Sequence, residues 1–256
     1  KQFNLIELGA GNGEMMAIMS STFHKFPQFE SSCNINILEK SKHLKKIQKK
    51  TIKDCKVKWL NDLKDLNNLP CIFIANEFFD ALPIKQFIKK KNKWYERYVK
   101  FNDLIRLEYL DIPFDIKKLE KKIRFKISLK QNFIEYSPLA LEYLKNITKK
   151  INLNNGGVLI IDYGYLDKKM KNTIQAVSKH QYSNVLNNFR NSDITYNLSF
   201  NLITQIIKKL GSFIQTTTTQ KKFLTNLGIL KRAEMLSKNM QFSKTADMFF
   251  RVKRLL

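Results

Sequence analysis

Apolar residues recur along this chain in two rhythms: short runs that read as strands, and longer stretches with the three-to-four spacing of a helix. Phe3–Leu8 is a run of the first kind, and Met15, Met16, Ile18, Met19 and Phe23 after it keep helical spacing. Ile35–Leu38 is expected as a second strand, and Ser41 as the cap of a helix whose Leu44 and Ile47 share one face. Val57–Leu60 is a third strand candidate. Cys71–Ala75 is a fourth, continuously apolar as in a sheet covered on both faces. Residues 84–109 change character. They hold three β-like segments, Ile84–Ile88, Trp94–Phe101 and Leu104–Tyr109, and the lysine-rich stretch 110–135 reads as a weakly patterned insertion. Ser137-Pro138 opens a helix with Leu141, Leu144, Ile147 and Ile151 on one face. Gly156-Gly157 closes that unit before a fifth buried strand, Val158–Ile161. A helix around 200–210, a strand near Phe213–Thr217, short helices through 240 and a closing strand near Phe249–Leu255 are expected beyond it.

Strands alternating with helices predict an α/β fold: a mostly parallel, doubly wound sheet with right-handed crossovers and inserted β/α segments. Such a sheet binds ligands at the carboxyl ends of its strands, near the point where strand order reverses. The motifs sit there. The first strand ends in Glu7-Leu8-Gly9-Ala10-Gly11-Asn12-Gly13, a glycine turn of the nucleotide-binding type. Its glycines permit positive φ and bring backbone N–H groups close to a ligand. The spacing is GxGxG, not GxGxxG, and Glu7 would sit badly against a pyrophosphate but well against an ammonium group. That favours S-adenosyl-L-methionine over a dinucleotide, while a plain βα turn would also fit the glycines alone. Glu39 ends the second strand, where a carboxylate accepts both ribose hydroxyls of an adenosyl group, unless it simply pairs with Lys40 or Lys42. Asp62, after the third strand, is a candidate for the adenine amino group or an ordinary loop residue beside Asn61 and Asp65.

The fourth strand ends in Asn76-Glu77-Phe78-Phe79-Asp80. In this sheet order that corner faces the transferable methyl group. Acidic residues at a helix start would account for Asp80, but less well for Asn76 and Glu77. Carboxylates here suit a guanidinium or ammonium ion and the uptake of a proton as nitrogen attacks a sulfonium methyl. Asp162-Tyr163-Gly164, closing the fifth strand, borders the same cleft. His24 and His43 lie in helical stretches and read as surface or packing residues, which leaves His180.

Length, charge and cysteines narrow the classes. At 256 residues, one large domain or two small ones fit, and 43% hydrophobic with 27% charged residues reads as globular. The net charge is +24, yet only seven of the 46 cations are Arg. The accompanying abundance of Lys, Asn and Ile is what an A+T-rich genome writes, so the charge is discounted as a sign of nucleic acid; Lys is also the poorer bidentate reader of phosphate. Cys33, Cys55 and Cys71 are widely spaced, with no CxxC, HxxxH or HExxH, so neither a disulfide scaffold nor a zinc site is expected and a reducing compartment is favoured. No apolar run approaches the roughly 20 residues of a membrane span. No Ser/His/Asp or Cys/His signature supports a hydrolase.

With these residues together, the chain resembles the MidA-like family of class I S-adenosyl-L-methionine-dependent methyltransferases. Glu7–Gly13 is similar to that family's ELGPGRG, and Trp59 with Leu63 to its third strand. Ala75–Pro83 with Gln86-Phe87 is the family's most specific signature, carried unbroken. Trp94–Val99 resembles its W-x-E-R-x-V segment. Asp162-Tyr163-Gly164, Thr173–Ala176, His180, Asp193-Ile194-Thr195 and Phe200 follow in family order, then Gln220, Phe223-Leu224 and Leu227-Gly228-Ile229. Ala10 and Asn12 depart from the glycine loop, Asn191-Ser192 stands where the family has a Gly, and Ser199 replaces an acidic residue. The family also has a region with a G-D-F-x-T segment ahead of the glycine loop; with six residues before Glu7, that region is expected to lie outside this sequence.

The resemblance implies a single methyltransferase domain over 1–256, with insertions about 84–135 and 165–200. It implies methyl transfer to an arginine nitrogen of a protein, possible targets including a subunit of NADH:ubiquinone oxidoreductase. The location would be the cytoplasm of a bacterium or the mitochondrial matrix of a eukaryote. It assigns the cofactor to Glu7, Gly9, Gly11, Gly13, Glu39 and Asp62, catalysis to Asn76, Glu77 and Asp80, and substrate binding to Phe78, Asp162, Tyr163 and His180, with no metal. The alternatives are an RNA methyltransferase, favoured only by charge, and a non-catalytic assembly factor with a degenerate cofactor pocket.

Overall fold

The computed structural model describes residues 1–53, 55–102, 106–178, 181–187, 191–212 and 216–256. Phe3–Leu8 forms β1, and three glycines turn the chain into α1 (Glu14–Phe23) and a short α2 (Pro27–Ser32). β2 (Cys33–Leu38), α3 (Lys42–Thr51), β3 (Val57–Leu60) and β4 (Cys71–Asn76) follow. Next come β5 (Lys85–Lys90), β6 (Lys93–Phe101), β7 (Leu107–Pro113), α4 (Lys117–Ile123) and β8 (Phe133–Tyr136). The chain returns through α5 (Pro138–Asn154) to β9 (Gly156–Ile161).

The central sheet is wholly parallel, in the order β3-β2-β1-β4-β9. β1 pairs with β2 on one side and β4 on the other, so strand order reverses between β1 and β4, and the carboxyl ends of those two strands flank the crevice. Both faces are apolar, which is why these strands lack strict alternation. Leu5, Ile35 and Ile37 meet Met16 of α1 and Ile52 on one face. Ile6, Leu8, Phe73 and Ala75 are fully buried on the other, where α5 packs against β4 and β9. Ser41 and Ser137 cap α3 and α5 by accepting from Leu44 N and Ala140 N.

A second sheet, antiparallel and ordered β7-β6-β5-β8, occupies the stretch between β4 and α5. After β9, β10 (Gly164–Tyr165) precedes β11 (Gln175–Ser178), β12 (Gln181–Ser183) and β13 (Asp193–Thr195), which form a small antiparallel ribbon. β14 (Leu198–Ser199) pairs with β10 and leads into α6 (Phe200–Lys209). These elements make up one compact unit, Lys1–Phe213. A second, Ile214–Leu256, holds α7 (Gln220–Asn226), α8 (Ile229–Ser237) and α9 (Phe242–Leu255).

Four sequence expectations need correction or completion. The closing strand near Phe249–Leu255 is helical, part of α9. Apolar and polar residues alternate over Phe250–Lys253 and mimic a strand, but they continue a helix in which Asp247 and Arg251 pair at 2.8 Å across one turn. The stretch 110–135 is better ordered than its pattern suggested: β7 runs to Pro113, and α4 and β8 follow. The segment Leu104–Tyr109 begins outside the described residues and is a strand only from Leu107. Of Phe213–Thr217, residues 213–215 also lie outside, and Thr216 and Thr217 form no strand.

Gly156 sets the start of β9. Its φ is +132°, and a Cβ there would lie 1.9 Å from the carbonyl oxygen of Cys71 on β4. Neighbouring Gly157 has open space. Gly156→Ala is expected to destabilise the fold by about 3 kcal/mol or more in urea unfolding, and Gly157→Ala by less than about 1 kcal/mol. Equal effects of the two would contradict this register.

Candidate active site

Residues from four strand ends converge at the crevice. Glu7 is the penultimate residue of β1, in register with Ile37 and Ile74. Its side chain is on the face of Leu5, between apolar neighbours, and only 3% of the residue is exposed. Burial pushes its carboxyl up from 4.5 to about 7. One of its oxygens, Oε2, has no hydrogen-bond partner among the described residues. A buried carboxylate oxygen without a donor is uncommon and needs an explanation.

The loop after β1 is made by its glycines. Gly9, Gly11 and Gly13 have φ of 65°, 52° and 86°, a region that residues with a Cβ rarely adopt. At Gly9 a Cβ would also lie 2.7 Å from the Phe78 ring, and at Gly13 it would press on Ile52 and on the backbone of Gln48. Gly11 faces open space. The glycines thus let the loop pass between Phe78 on one side and α3 on the other, with its middle free for a ligand.

Glu39 follows β2 and is nearly buried. Its Oε1 accepts from Ser41 N at 2.8 Å, and its Oε2 from Gln48 Nε2 at 3.1 Å. Asp62 follows β3 but is half exposed, and its Oδ1 accepts from Lys64 N at 2.9 Å in a reciprocal cap with Asp65. The structure therefore gives Asp62 a capping role at the turn Leu63–Asp65.

The corner after β4 is acidic and strained. Glu77 holds φ at 46°, unusual for a residue with a side chain, while its N–H donates to Ile161 O of β9 at 2.9 Å. Asn76 and Glu77 are exposed, Asp80 is buried, and Phe79 is fully buried. Phe78 is half-buried, edge-on to Tyr143 at 5.1 Å and to Phe79 at 5.2 Å. Asp162, just past β9, accepts the backbone N–H groups of Phe79 and Asp80 on Oδ2, at 3.0 and 3.2 Å, and of Tyr163 on Oδ1.

The electrostatics bind this corner into one group. Burial raises Asp162 to about 7, and the charge of Asp80 adds to it despite three backbone donors. Burial also raises Asp80, with the charges of Glu77 and Asp193 adding. The Tyr163 hydroxyl is raised first by the charge of Glu77. Apart from Asp62, which caps its own turn, and His180, the site residues read from the sequence thus fall into a loop group (Glu7, the glycines, Glu39) and a corner group (Asn76–Asp80, Asp162, Tyr163), with Phe78 touching both. His180 lies outside the described residues. Asp193, Tyr196, Gln48 and Glu135 do not stand out as site residues in the sequence. Tyr196 N–H donates to the Asp80 carbonyl, and buried Glu135 accepts from Gln86 and from Thr173, whose hydroxyl also accepts from Asn197 N. The available signals are faint: Asp193 heads the Asp193-Ile194-Thr195 run, and Gln48 falls one turn after Leu44.

The sequence profile of the S-adenosyl-L-methionine-dependent methyltransferase family matches residues 1–217, so the chain belongs to that family. Its cofactor is S-adenosyl-L-methionine. Curated relatives include the mitochondrial protein arginine methyltransferase NDUFAF7 of Xenopus laevis, 27% identical over 260 residues and aligned to 92% of this chain. The Homo sapiens protein of the same name is 25% identical over 264 residues. This chain spans 59% and 58% of the lengths of those two relatives. A COG1565 superfamily member from Burkholderia thailandensis, crystallised with S-adenosyl-homocysteine, shares the fold at a TM-score of 0.77 and 20% identity, over 96% of this chain and 66% of that one. The residues present fit such a cofactor: the unpartnered Glu7 oxygen suits an ammonium group, and the open face at Gly11 admits it. Among the described residues, no group of His, Cys, Asp and Glu is arranged to hold a metal ion, and no helix is long and apolar enough to cross a membrane.

Glu7 makes the stability of the free protein depend on pH. Its folded pKa lies above its unfolded value, so the folded chain binds more protons between 4.5 and about 7, and stability falls as pH rises through that window. Glu7→Gln is expected to lose less stability than the wild type between about pH 5 and about pH 8, by up to about 3 kcal/mol. Urea unfolding at both pH values measures this, and parallel losses would show that Glu7 is not desolvated.

Proposed function

We propose that this chain carries the cofactor pocket and substrate corner of a protein-arginine N-methyltransferase. The observation that carries it is the acidic corner: Glu77, Asp80 and Asp162 gathered next to the glycine loop, with Asp193 and Tyr163 in electrostatic contact. A planar cation with several N–H groups is the ligand such a corner suits, since carboxylates take guanidinium in bidentate fashion. The names of the curated relatives support the arginine assignment, and the family resemblance suggests a subunit of NADH:ubiquinone oxidoreductase as the target. The single-domain reading over 1–256 is part of the same proposal, as is a location in the bacterial cytoplasm or the mitochondrial matrix.

On this reading Glu7 and the loop of Gly9, Gly11 and Gly13 hold the aminoacid end of the cofactor, and Glu39 accepts from its ribose hydroxyls. When bound, the cofactor supplies a methyl group activated by a sulfonium. Asn76, Glu77 and Asp80 fix the guanidinium, Phe78 and Tyr163 wall the cleft, and Asp162 pins the backbone of Phe79 and Asp80. The proton that the substrate nitrogen sheds passes to the Asp80–Asp162 pair, whose carboxyls burial raises toward neutrality. Most of the rate is then owed to positioning. The RNA reading rests on net charge alone, and a carboxylate-rich corner repels a phosphate backbone. The assembly-factor reading predicts no cofactor binding and is tested by the same titrations.

Two variants separate the roles. Glu77→Ala is expected to abolish transfer of label from the cofactor to arginine in candidate partner proteins, read by mass spectrometry, with cofactor affinity near normal. Ala at φ 46° meets the same backbone demand as Glu, so the fold should persist. Surviving turnover would remove the guanidinium role. Glu39→Ala is expected to weaken cofactor binding by about 1–3 kcal/mol in calorimetric titration, and unchanged affinity would take Glu39 out of the pocket.

A further inference from the structure

Gln48 is fully buried on α3, a helix otherwise dominated by lysine. Its side-chain amide makes three hydrogen bonds to three different parts of the crevice. Nε2 donates to the carbonyl of Gly11, in the middle of the glycine loop, at 2.9 Å, and to Glu39 Oε2 at 3.1 Å. Oε1 accepts from the indole N–H of Trp59, on β3, at 2.9 Å. The orientation of the amide is forced, because the indole can only donate and the carbonyl and carboxylate can only accept. The backbone of Gln48 lies against Gly13 as well.

We infer that Gln48 is a positioning residue: it fixes the glycine loop and the Glu39 carboxylate relative to one another, and so sets the distance between the two grips on the cofactor. The inference rests on the reading of this crevice as the S-adenosyl-L-methionine pocket. Gly11 belongs to the loop at the aminoacid end and Glu39 to the ribose end, and no other side-chain hydrogen bond among the described residues joins the two. With Ser41 N and Gln48 Nε2 each engaging a different Glu39 oxygen, the carboxylate is held in one plane and keeps lone pairs for two hydroxyls. Trp59 orients Gln48 in turn, and Lys49 lies over its ring at 5.4 Å.

The test is Gln48→Glu. At alkaline pH the introduced carboxylate would face the Gly11 carbonyl and Glu39, an acceptor against two acceptors. On acidification a proton shared between the introduced carboxylate and that of Glu39 restores one donor to the bridge. The variant should therefore bind S-adenosyl-L-methionine about 10- to 100-fold more weakly than wild type at about pH 8, and this ratio should shrink toward about pH 6. Taking the ratio to wild type at each pH cancels contributions of Glu7, Lys49 and, on the same helix, His43, and leaves the coupling of the introduced carboxylate to Glu39. Calorimetry measures affinity. In a Trp94→Phe background the emission of Trp59 reports the same binding independently. Weakening that is constant with pH would mean general damage and would overturn the inference, as would a ratio near one throughout. A wild type that binds no cofactor would overturn the pocket reading itself, which is a separate result. If Gln48→Glu does not fold, Gln48→Met keeps the length and removes both donors and the acceptor: the folded variant, though less stable than wild type, should bind about 10-fold more weakly, and unchanged affinity would overturn the inference.

Discussion

The ring of Phe78 occupies the space that a side chain at position 9 would need, with a Cβ at Gly9 falling 2.7 Å from it. This contact joins the two halves of the crevice. Gly9 opens the loop after β1, and Phe78 is the second residue after β4, the neighbouring strand across the point where strand order reverses. Phe78 is braced from behind by Phe79 and Tyr143, and Tyr143 belongs to α5, which packs on β4 and β9. The loop is braced by α3 through Gly13, Ile52 and Gln48. On the proposed reading, a reaction that depends on aligning a donor methyl with an acceptor nitrogen needs such a fixed separation more than it needs any single strong contact.

The two halves differ in how they treat negative charge. Glu7 is alone in an apolar setting, and burial is the only cause of its raised pKa. Asp80 and Asp162 are raised by burial first and by neighbouring carboxylates second. A lone desolvated carboxylate suits a single fixed cation that stays through the reaction. A cluster with neighbours close enough to interact suits a cation that loses a proton there. On the proposed reading this asymmetry assigns the loop to the cofactor and the corner to the substrate. The backbone donors of Phe79, Asp80 and Tyr163 keep Asp162 from drifting higher still.

The central sheet was legible because its strands carry long apolar runs and its helices carry caps, both local properties. Ser41 and Ser137 cap where their sequence context predicts, and β1, β2, β3, β4 and β9 fall within a residue or two of their apolar runs. β8 was not legible, since Glu135 interrupts its apolar face. What makes Glu135 tolerable inside is a set of long-range bonds, from Gln86 of β5 and from Thr173, that no local pattern encodes. α9 failed for the opposite reason: the four alternating residues Phe250–Lys253 fit a strand, while the helix they belong to begins at Phe242 and shows only in contacts one turn apart, such as the Asp247–Arg251 pair. In the crevice, residues on loops after strands stood out by type, whereas Gln48 was hidden by its surroundings. A buried amide on a lysine-rich helix looks like one more polar surface position until its partners are known.

The structure also bears on the family's departures in this chain. Ala10 and Asn12 stand where the family loop has Pro and Arg, yet the loop geometry does not hang on either. Gly9, Gly11 and Gly13 supply the three positive φ angles, Gly13 N–H donates to the Ala10 carbonyl at 2.7 Å, and Gly9 N–H to the Leu38 carbonyl at 3.0 Å. These are backbone bonds that any residue at position 10 or 12 leaves intact. Ser199, in place of an acidic residue, accepts from Leu202 N and caps α6. At positions 10 and 12 the backbone carries the geometry. Phe78, by contrast, makes its contact across the strand-order reversal with its side chain, against Gly9, and there the chain keeps the residue that the family signature has.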